Sequence, residues 1–216
     1  MGSKEIVTPF HRGAEADLFL SRIGPWNAVV KKRVAKQYRN PILDKHLRRE
    51  RTLSEASLLH EAKVAGTKAP SILNVDMESN TIVMTRIEGL VARDCMDSMS
   101  PKIARQLFRR LGEEVARLHS GGIVHGDLTT SNIIFTPSGV PFIVDFGMSR
   151  RSVEPEDRGV DLHLLQRSIR ATHGQRSSLI KSLVLGYKAA AGENVSKTAW
   201  AKAREISRRG RYFAIR

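Results

Sequence analysis

Residues 124–147 read Val-His-Gly-Asp-Leu-Thr-Thr-Ser-Asn-Ile-Ile-Phe-Thr-Pro-Ser-Gly-Val-Pro-Phe-Ile-Val-Asp-Phe-Gly. Three polar groups recur at set intervals: Asp127, then Asn132 five residues later, then Asp145 another 13 residues on. Between the last two, Ile133, Ile134 and Phe135, a turn at Pro137, Ser138 and Gly139, and the apolar Phe142, Ile143 and Val144 spell a short β-hairpin. A hairpin returns on itself, so Asn132 and Asp145 are expected side by side, just beyond a loop that carries Asp127. Phosphoryl transfer asks for such a set: a carboxylate to orient the attacking hydroxyl, and hard oxygen ligands for Mg2+. Alone, Asp-Phe-Gly reads as a turn and His-Gly-Asp as a loop; in this order and spacing they mark Asp127 as catalytic base or orienter, and Asn132 and Asp145 as metal ligands. His125 is expected to brace the loop through a hydrogen bond rather than to move protons.

Upstream, Ser100 and Pro101 open a helix whose Ile103, Leu107, Leu111, Val115 and Leu118 share one face, and Gly121 and Gly122 close it. Its Arg105, Arg109, Arg110 and Arg117 lie beside that stripe, which reads as lobe core and not as a membrane face. Downstream come a polar connector, helices near 161–169 and 177–191, and a last helix entering a basic tail. The first ninety residues read differently. Ile6 and Val7, then Leu18, Phe19 and Leu20, then residues 26–30 predict a three-strand meander, with turns over 11–15 and at Gly24 and Pro25. Asn40 and Pro41 start a helix with Leu43, Leu47, Leu53, Ala56 and Leu59 at helical spacing and a break near Thr52. Residues 72–75 and 81–87 form a second strand pair around Ser79 and Asn80, and Glu88 and Gly89 link onward. The expected class is α+β, a strand-rich lobe over residues 1–88 and a helical lobe over residues 89–216.

Composition narrows the partners. The chain of 216 residues carries 36 Lys and Arg against 22 Asp and Glu, a net charge of +14. Residues 31–51 hold nine basic and two acidic side chains, and residues 197–216 hold seven and one. A polyanion is the natural partner, and RNA fits better than DNA because no DNA-reading helix motif is present. The single Cys95 excludes an internal disulfide framework and a multi-cysteine zinc cage, and the seven histidines have no zinc-type spacing, so no structural metal is expected. No apolar run is long enough to span a bilayer and no export signal opens the chain, which predicts a soluble, cytoplasmic protein with no membrane association.

Taken together, Gly13, Ala14, Glu15 and Ala16, Lys31, Glu55, the run from His125 to Asn132 and the Asp-Phe-Gly at 145–147 resemble the small, RIO-like atypical kinase subunit of the KEOPS (EKC) complex. The likeness extends to Tyr38-Arg39-Asn40-Pro41, Gly159-Val160-Asp161-Leu162 and Arg209-Gly210-Arg211. It implies a minimal two-lobed protein-kinase-like fold binding ATP and Mg2+. It also implies a complex with the threonylcarbamoyl-transferring KEOPS subunit and a small KEOPS subunit, and a role in forming threonylcarbamoyladenosine in tRNA, contacted through the basic C-terminal tail. Carried over, Lys31 pairs with the ATP phosphates; Lys32 next door faces the opposite side of a strand, so only one of the two can do so. Glu55 becomes the helix partner of Lys31, although Thr52 and Glu55 also fit a capping box. Gly13, Ala14 and Glu15 cover the phosphates, Met84 walls the adenine pocket, and the backbone from Thr85 to Ile87 takes the base.

Two departures from ordinary protein kinases bear on activity. Thr129 stands two residues after Asp127, where such kinases carry a phosphate-neutralising lysine, and only 16 residues separate Asp145 from Asp161, too few for a peptide-holding activation segment. ATP hydrolysis, or phosphorylation of serine or threonine including the chain's own Ser149 or Ser152, is therefore expected ahead of ordinary peptide phosphorylation. Two other classes compete: a small-molecule phosphotransferase of the aminoglycoside or choline type, and an RNA-binding pseudokinase scaffold.

Overall fold

The computed structural model describes residues 9–173 and 177–213, and these form two compact units. The expected strand at Ile6 and Val7 lies outside the described residues, as do residues 214–216 of the basic tail. The first unit comprises Met1–His60 with Pro70–Arg86, and the second Glu61–Ala69 with Ile87–Arg216.

In the first unit, β1 (His11–Arg12), β2 (Ala16–Ile23), β3 (Trp26–Arg33), β4 (Ile72–Asp76) and β5 (Thr81–Thr85) make one antiparallel sheet in the order β1-β2-β3-β5-β4. His11 and Arg12 pair with Leu18 and Asp17, so part of the stretch expected to turn is strand instead. Its backbone bonds onto the edge of β2 in a local hairpin that polar composition conceals. The turn at Ser79 and Asn80 is present; Asn80 takes φ of 52°, a conformation asparagine tolerates.

Helix α1 (Pro41–Val64) is opened by Asn40, whose Oδ1 accepts the amides of Ile42 (3.0 Å) and Leu43 (3.3 Å). It is unbroken, so the expected interruption at Thr52 is absent: Thr52 is fully buried in the helix interior and its hydroxyl donates to the Arg48 carbonyl at 2.7 Å. A cap needs non-helical backbone, which removes the capping-box reading of Thr52 and Glu55. The buried stripe also differs from the leucine pattern. Leu43 and Leu53 are exposed, whereas Asp44, Thr52 and Glu55 join Ala56, Leu58 and Leu59 inside. Glu55 sits inside because β3 presents it with Lys31 and Arg33, whereas Asp44 is paired with Arg48 of its own helix and Thr52 with the Arg48 carbonyl.

The second unit is built on α3 (Pro101–Ser120), following β6 (Leu90–Val91) and the short α2 (Ala92–Cys95). Ser100 caps α3 through Oγ, and Leu107, Phe108, Leu111, Val115 and Leu118 are buried; Ile103, expected among them, is exposed in the first turn. After β7 (Ile123–Val124) and a 3-10 turn at Thr130–Asn132 come the hairpin strands β8 (Ile133–Phe135) and β9 (Pro141–Ile143). The hairpin joins β6 in a three-stranded sheet, and β7 pairs with β10 (Arg150–Arg151). Lys68 ties the 61–69 segment into this unit, its amide donating to Glu114 Oε2 at 2.8 Å and its carbonyl accepting from Ile143 at 2.9 Å.

Three helices follow: α4 (Pro155–His173), which starts earlier than its apolar pattern indicates, α5 (Ser177–Ala191) and α6 (Glu193–Phe213). Glycines set how closely they pack. A Cβ at Gly112 of α3 would stand 2.2 Å from the Leu183 carbonyl oxygen, and one at Gly186 of α5 would stand 1.8 Å from that of Arg109. The backbones of α3 and α5 are thus in direct contact, and no larger residue fits either position. Together the two units are a mixed α and β molecule with an antiparallel sheet first and helices after, the layout of a minimal kinase-like fold.

Candidate active site

In the second unit, the loop between β7 and β8 is held from beneath by one carboxylate. Asp161 of α4 accepts the His125 amide through Oδ2 at 2.6 Å and the Gly126 amide through Oδ1 at 2.8 Å. Oδ2 also receives His119 Nε2 at 3.2 Å, and the other ring nitrogen, Nδ1, lies 3.0 Å from the Tyr187 hydroxyl. A donor at Nε2 and an acceptor at Nδ1 satisfy every partner with a neutral ring, the tyrosine donating. Burial pushes the Asp161 carboxyl up, but the His119 contact, the nearby His125 and the amide donors outweigh it and hold the group below the usual carboxylate range. Burial, opposed by Arg158 and helped by Asp161, raises the Tyr187 hydroxyl to about 12.

Gly126 takes φ of 79°, and a Cβ there would stand 2.3 Å from the Met148 carbonyl oxygen, so the glycine is sterically required. His125 braces the loop as expected: Nε2 donates to the Val144 carbonyl at 3.0 Å, Nδ1 accepts from the Asp127 amide at 3.3 Å, and the ring packs edge-on against Phe146. These bonds tie the Asp127 loop to the Asp145 turn. Asp127 is exposed and receives Asn132 Nδ2 on its side-chain Oδ2 at 3.0 Å and on its carbonyl at 2.8 Å. The Val144 amide donates to the Asn132 carbonyl at 2.9 Å, which brings the two ends of the hairpin together. Asp145 takes φ of 63°, rare outside glycine, and its Oδ1 accepts the Gly147 amide at 3.2 Å. With Nδ2 turned to Asp127, Asn132 has an amide oxygen to offer a cation, and Asp145 has a carboxylate. Both are hard donors, and Mg2+ commonly takes only one or two protein ligands beside phosphate and water. The donor set fits the expected Mg2+, although no group of three His, Cys, Asp or Glu that could hold a metal exists among the described residues.

In the first unit, β3 sends Lys31 inward and Lys32 outward; Lys31 is buried and Lys32 exposed. Lys31 Nζ lies 2.6 Å from Glu55 Oε1, and Arg33, two residues along the same face, places Nη2 2.6 Å from Glu55 Oε2. Arg33 also reaches Glu15 Oε2 at 3.3 Å, and Arg51 bonds the other Glu15 oxygen. Burial works to raise the Glu15 carboxyl, but Arg51 first, then Arg33 and Arg39, hold it below its ordinary value. The loop of Gly13, Ala14 and Glu15 is tied down further: the Gly13 amide donates to Ala16 at 3.0 Å, and Lys36 Nζ bonds the Ala14 carbonyl. Met84 is buried in β5. The Thr85 amide donates to Ser71 and the Arg86 amide to Asn27, each at 2.8 Å, so the sheet itself uses two of the three amides expected to face a base.

Sequence reasoning passed over Arg33, Asp161 as loop holder, His119 and Tyr187. Signals existed for two of them: Arg33 shares its strand face with Lys31, and Asp161 is a charge set among Val160, Leu162 and Leu165.

A strand-rich unit with an ion-paired lysine, and a helical unit whose loop and hairpin align Asp127, Asn132 and Asp145, define a minimal protein-kinase-like protein. A family model described as the RIO domain matches residues 26–172. A Pyrococcus abyssi protein called KEOPS complex subunit Bud32 is 38% identical over 208 residues, covering 93% of this chain and 94% of its own. A mouse protein called EKC/KEOPS complex subunit Tp53rkb is 36% identical, covering 93% of this chain and 85% of its own. A Methanothermobacter thermautotrophicus protein called probable bifunctional tRNA threonylcarbamoyladenosine biosynthesis protein is 40% identical, and the chain spans 36% of its length. The chain belongs to the RIO domain family, and within it to the kinase-like KEOPS subunits of the Bud32 type.

Proposed function

We propose that this chain is the ATP-consuming, Mg2+-dependent subunit of a KEOPS-type assembly, and that it supports formation of threonylcarbamoyladenosine in tRNA. The observation that carries the reading is the hairpin that sets Asn132 beside the Asp145 turn while Asn132 also holds Asp127. Mg2+ would supply charge neutralisation on the transferring phosphate, held by Asn132 and Asp145. Asp127 then orients the hydroxyl or water that attacks and accepts its proton, and Lys31, placed by Glu55, binds the α- and β-phosphates. Gly13, Ala14 and Glu15 cover the phosphates, Met84 packs on the adenine, and the backbone groups of Thr85 and Ile87 that the sheet does not use take the base edge. Relatives named for the KEOPS complex and for tRNA threonylcarbamoyladenosine synthesis favour a threonylcarbamoyl-transferring subunit, a small KEOPS subunit and tRNA as partners.

Water is the favoured acceptor. Thr129 leaves the transferring phosphate without the lysine of ordinary kinases, and α4 begins ten residues after Asp145. Protein serine/threonine phosphorylation, including of the chain itself, is a second activity of the same site. Of the two nearby serines, Ser149 donates its hydroxyl to the His125 carbonyl at 3.1 Å, and Ser152 Oγ accepts the Glu154 amide at 3.1 Å.

The test is ATP hydrolysis by the purified chain, alone and then with a threonylcarbamoyl-transferring KEOPS subunit and tRNA, with Asp127→Ala as control. Turnover that needs Asp127 and changes with partner and tRNA is expected. Turnover blind to both, with transfer to an aminoglycoside or an alcohol instead, would overturn the reading.

A further inference from the structure

Glu55 is a buried carboxylate shared by two cations from one strand. Its side chain is 2% exposed, with Lys31 Nζ on Oε1 and Arg33 Nη2 on Oε2, both at 2.6 Å. A one-to-one pair would suffice to place a lysine, so the second cation needs a reason. Arg33 is itself 4% exposed and fixed on three sides, by Glu55, by Glu15 of the loop at 13–15, and by the Arg51 carbonyl at 3.4 Å. The guanidinium has a planar fork suited to two carboxylates.

From this geometry we infer that Arg33 is a positioning residue that sets how tightly Glu55 holds Lys31, and that it couples this grip to the loop carrying Glu15. The inference rests on the nucleotide role proposed for Lys31. A buried carboxylate left without a cation is strongly unfavourable. With Lys31 as sole partner, drawing its ammonium toward a phosphate would expose Glu55 to that penalty. Arg33 removes it, because Glu55 stays paired and in place whichever partner Lys31 takes. Arg33 also competes with Lys31 for the carboxylate and lies near it as a like charge, so both effects weaken the Lys31–Glu55 attachment. Glu15 acts in the opposite direction. When the loop draws on Arg33 through Glu15, less of the guanidinium is committed to Glu55 and the carboxylate turns more fully to Lys31. Movement of the loop is thereby felt at Lys31 through Arg33 and Glu55.

The measurement is the pH profile of Lys31 acylation by acetic anhydride, read by mass spectrometry on the full chain without nucleotide, together with KM and kcat for ATP. Arg33→Met removes a competing cation, so the Lys31 profile should move to higher pH by about one unit, with KM for ATP raised about tenfold and kcat changed far less. Arg33→Lys, which returns a cation, should restore most of both. Glu15→Gln keeps the fold accessible if Arg33→Met does not purify, and should move the profile the other way, to lower pH. A merely structural role would lower thermal stability without displacing the Lys31 profile in either direction. Profiles for both variants superimposable on the parent would overturn the inference. A parent chain that neither binds nor hydrolyses ATP would instead sink the nucleotide reading, and the acylation profile would still decide whether Arg33 governs Lys31.

Discussion

Asp161 has both oxygens committed, to the His125 and Gly126 amides, with His119 as a third donor. Asparagine has the same shape but only one acceptor, and its amide group would face an N–H it cannot satisfy. Asp161→Asn is therefore expected to reduce ATP turnover by about tenfold or more and to destabilise the protein by about 2–4 kcal/mol. The pH dependence has a defined sign. The folded-state pKa is lowered, so the contribution of the carboxylate is fully present above the unfolded value, about 3.9, and disappears as pH falls through the lower folded value. Urea unfolding of parent and variant should differ by a constant amount from neutral pH to about pH 5 and converge in acid; a gap that persists in acid would show that the charge is not what matters. The two lysines allow a cleaner contrast. Lys31→Ala should abolish turnover, because the buried ammonium on Glu55 is lost, whereas the exposed Lys32→Ala should leave turnover within about two-fold of the parent. Steady-state ATPase assays on both decide it.

Among the elements, the crossing of α3 and α5 is the most demanding. At Gly186 an added Cβ would sit 1.8 Å from the Arg109 carbonyl oxygen, which belongs to another helix backbone and cannot swing aside. Gly186→Ala should cost roughly 3 kcal/mol or more, an overpacking effect, while removing the α3 cap with Ser100→Ala should cost about 0.5–1 kcal/mol. Thermal melts of the two variants test the ranking. Helix existence was legible at this scale: Ser100-Pro101 and Asn40-Pro41 mark real helix starts, and 177–191 is α5 residue for residue. The faces were less legible. Periodicity turns Leu43, Leu53 and Ile103 inward, yet all three are exposed and the inner stripe of α1 includes Asp44, Thr52 and Glu55. Hydrophobic spacing finds a helix from its own residues, but which side is buried depends on the partner surface, and here β3 presents Lys31 and Arg33.

Across the whole molecule, the net charge of +14 is unevenly spread, and some of the cations sit in ion pairs. In α6, Lys202 lies 3.2 Å from Glu156 and 3.1 Å from Glu205, and Arg209 lies 3.1 Å from Glu156, so the basic C-terminal stretch is a helix in which these two cations are paired with carboxylates. Deleting residues 208–216, which removes four arginines, should still weaken tRNA association and reduce the slope of log affinity against log salt by about 0.7 to 0.9 for each phosphate no longer neutralised. A titration over several salt concentrations measures it, and an unchanged slope would assign the tail to packing on α4. Among the described residues no helix is long and apolar enough to cross a membrane. The order Asp127, Asn132, Asp145 and the change from strand to helical periodicity were enough to place a strand-rich part before a helical one and a phosphoryl-transfer loop and hairpin, because they depend on spacing along the chain and on local backbone preference; the kinase-like fold itself followed from the resemblance those residues carry. The sharing of Glu55 by Lys31 and Arg33, the grip of Asp161 on the loop, and the contact of Gly112 and Gly186 with neighbouring backbones were not written there. Each joins residues 22 to 77 positions apart, and such pairings exist only once packing has chosen which faces meet.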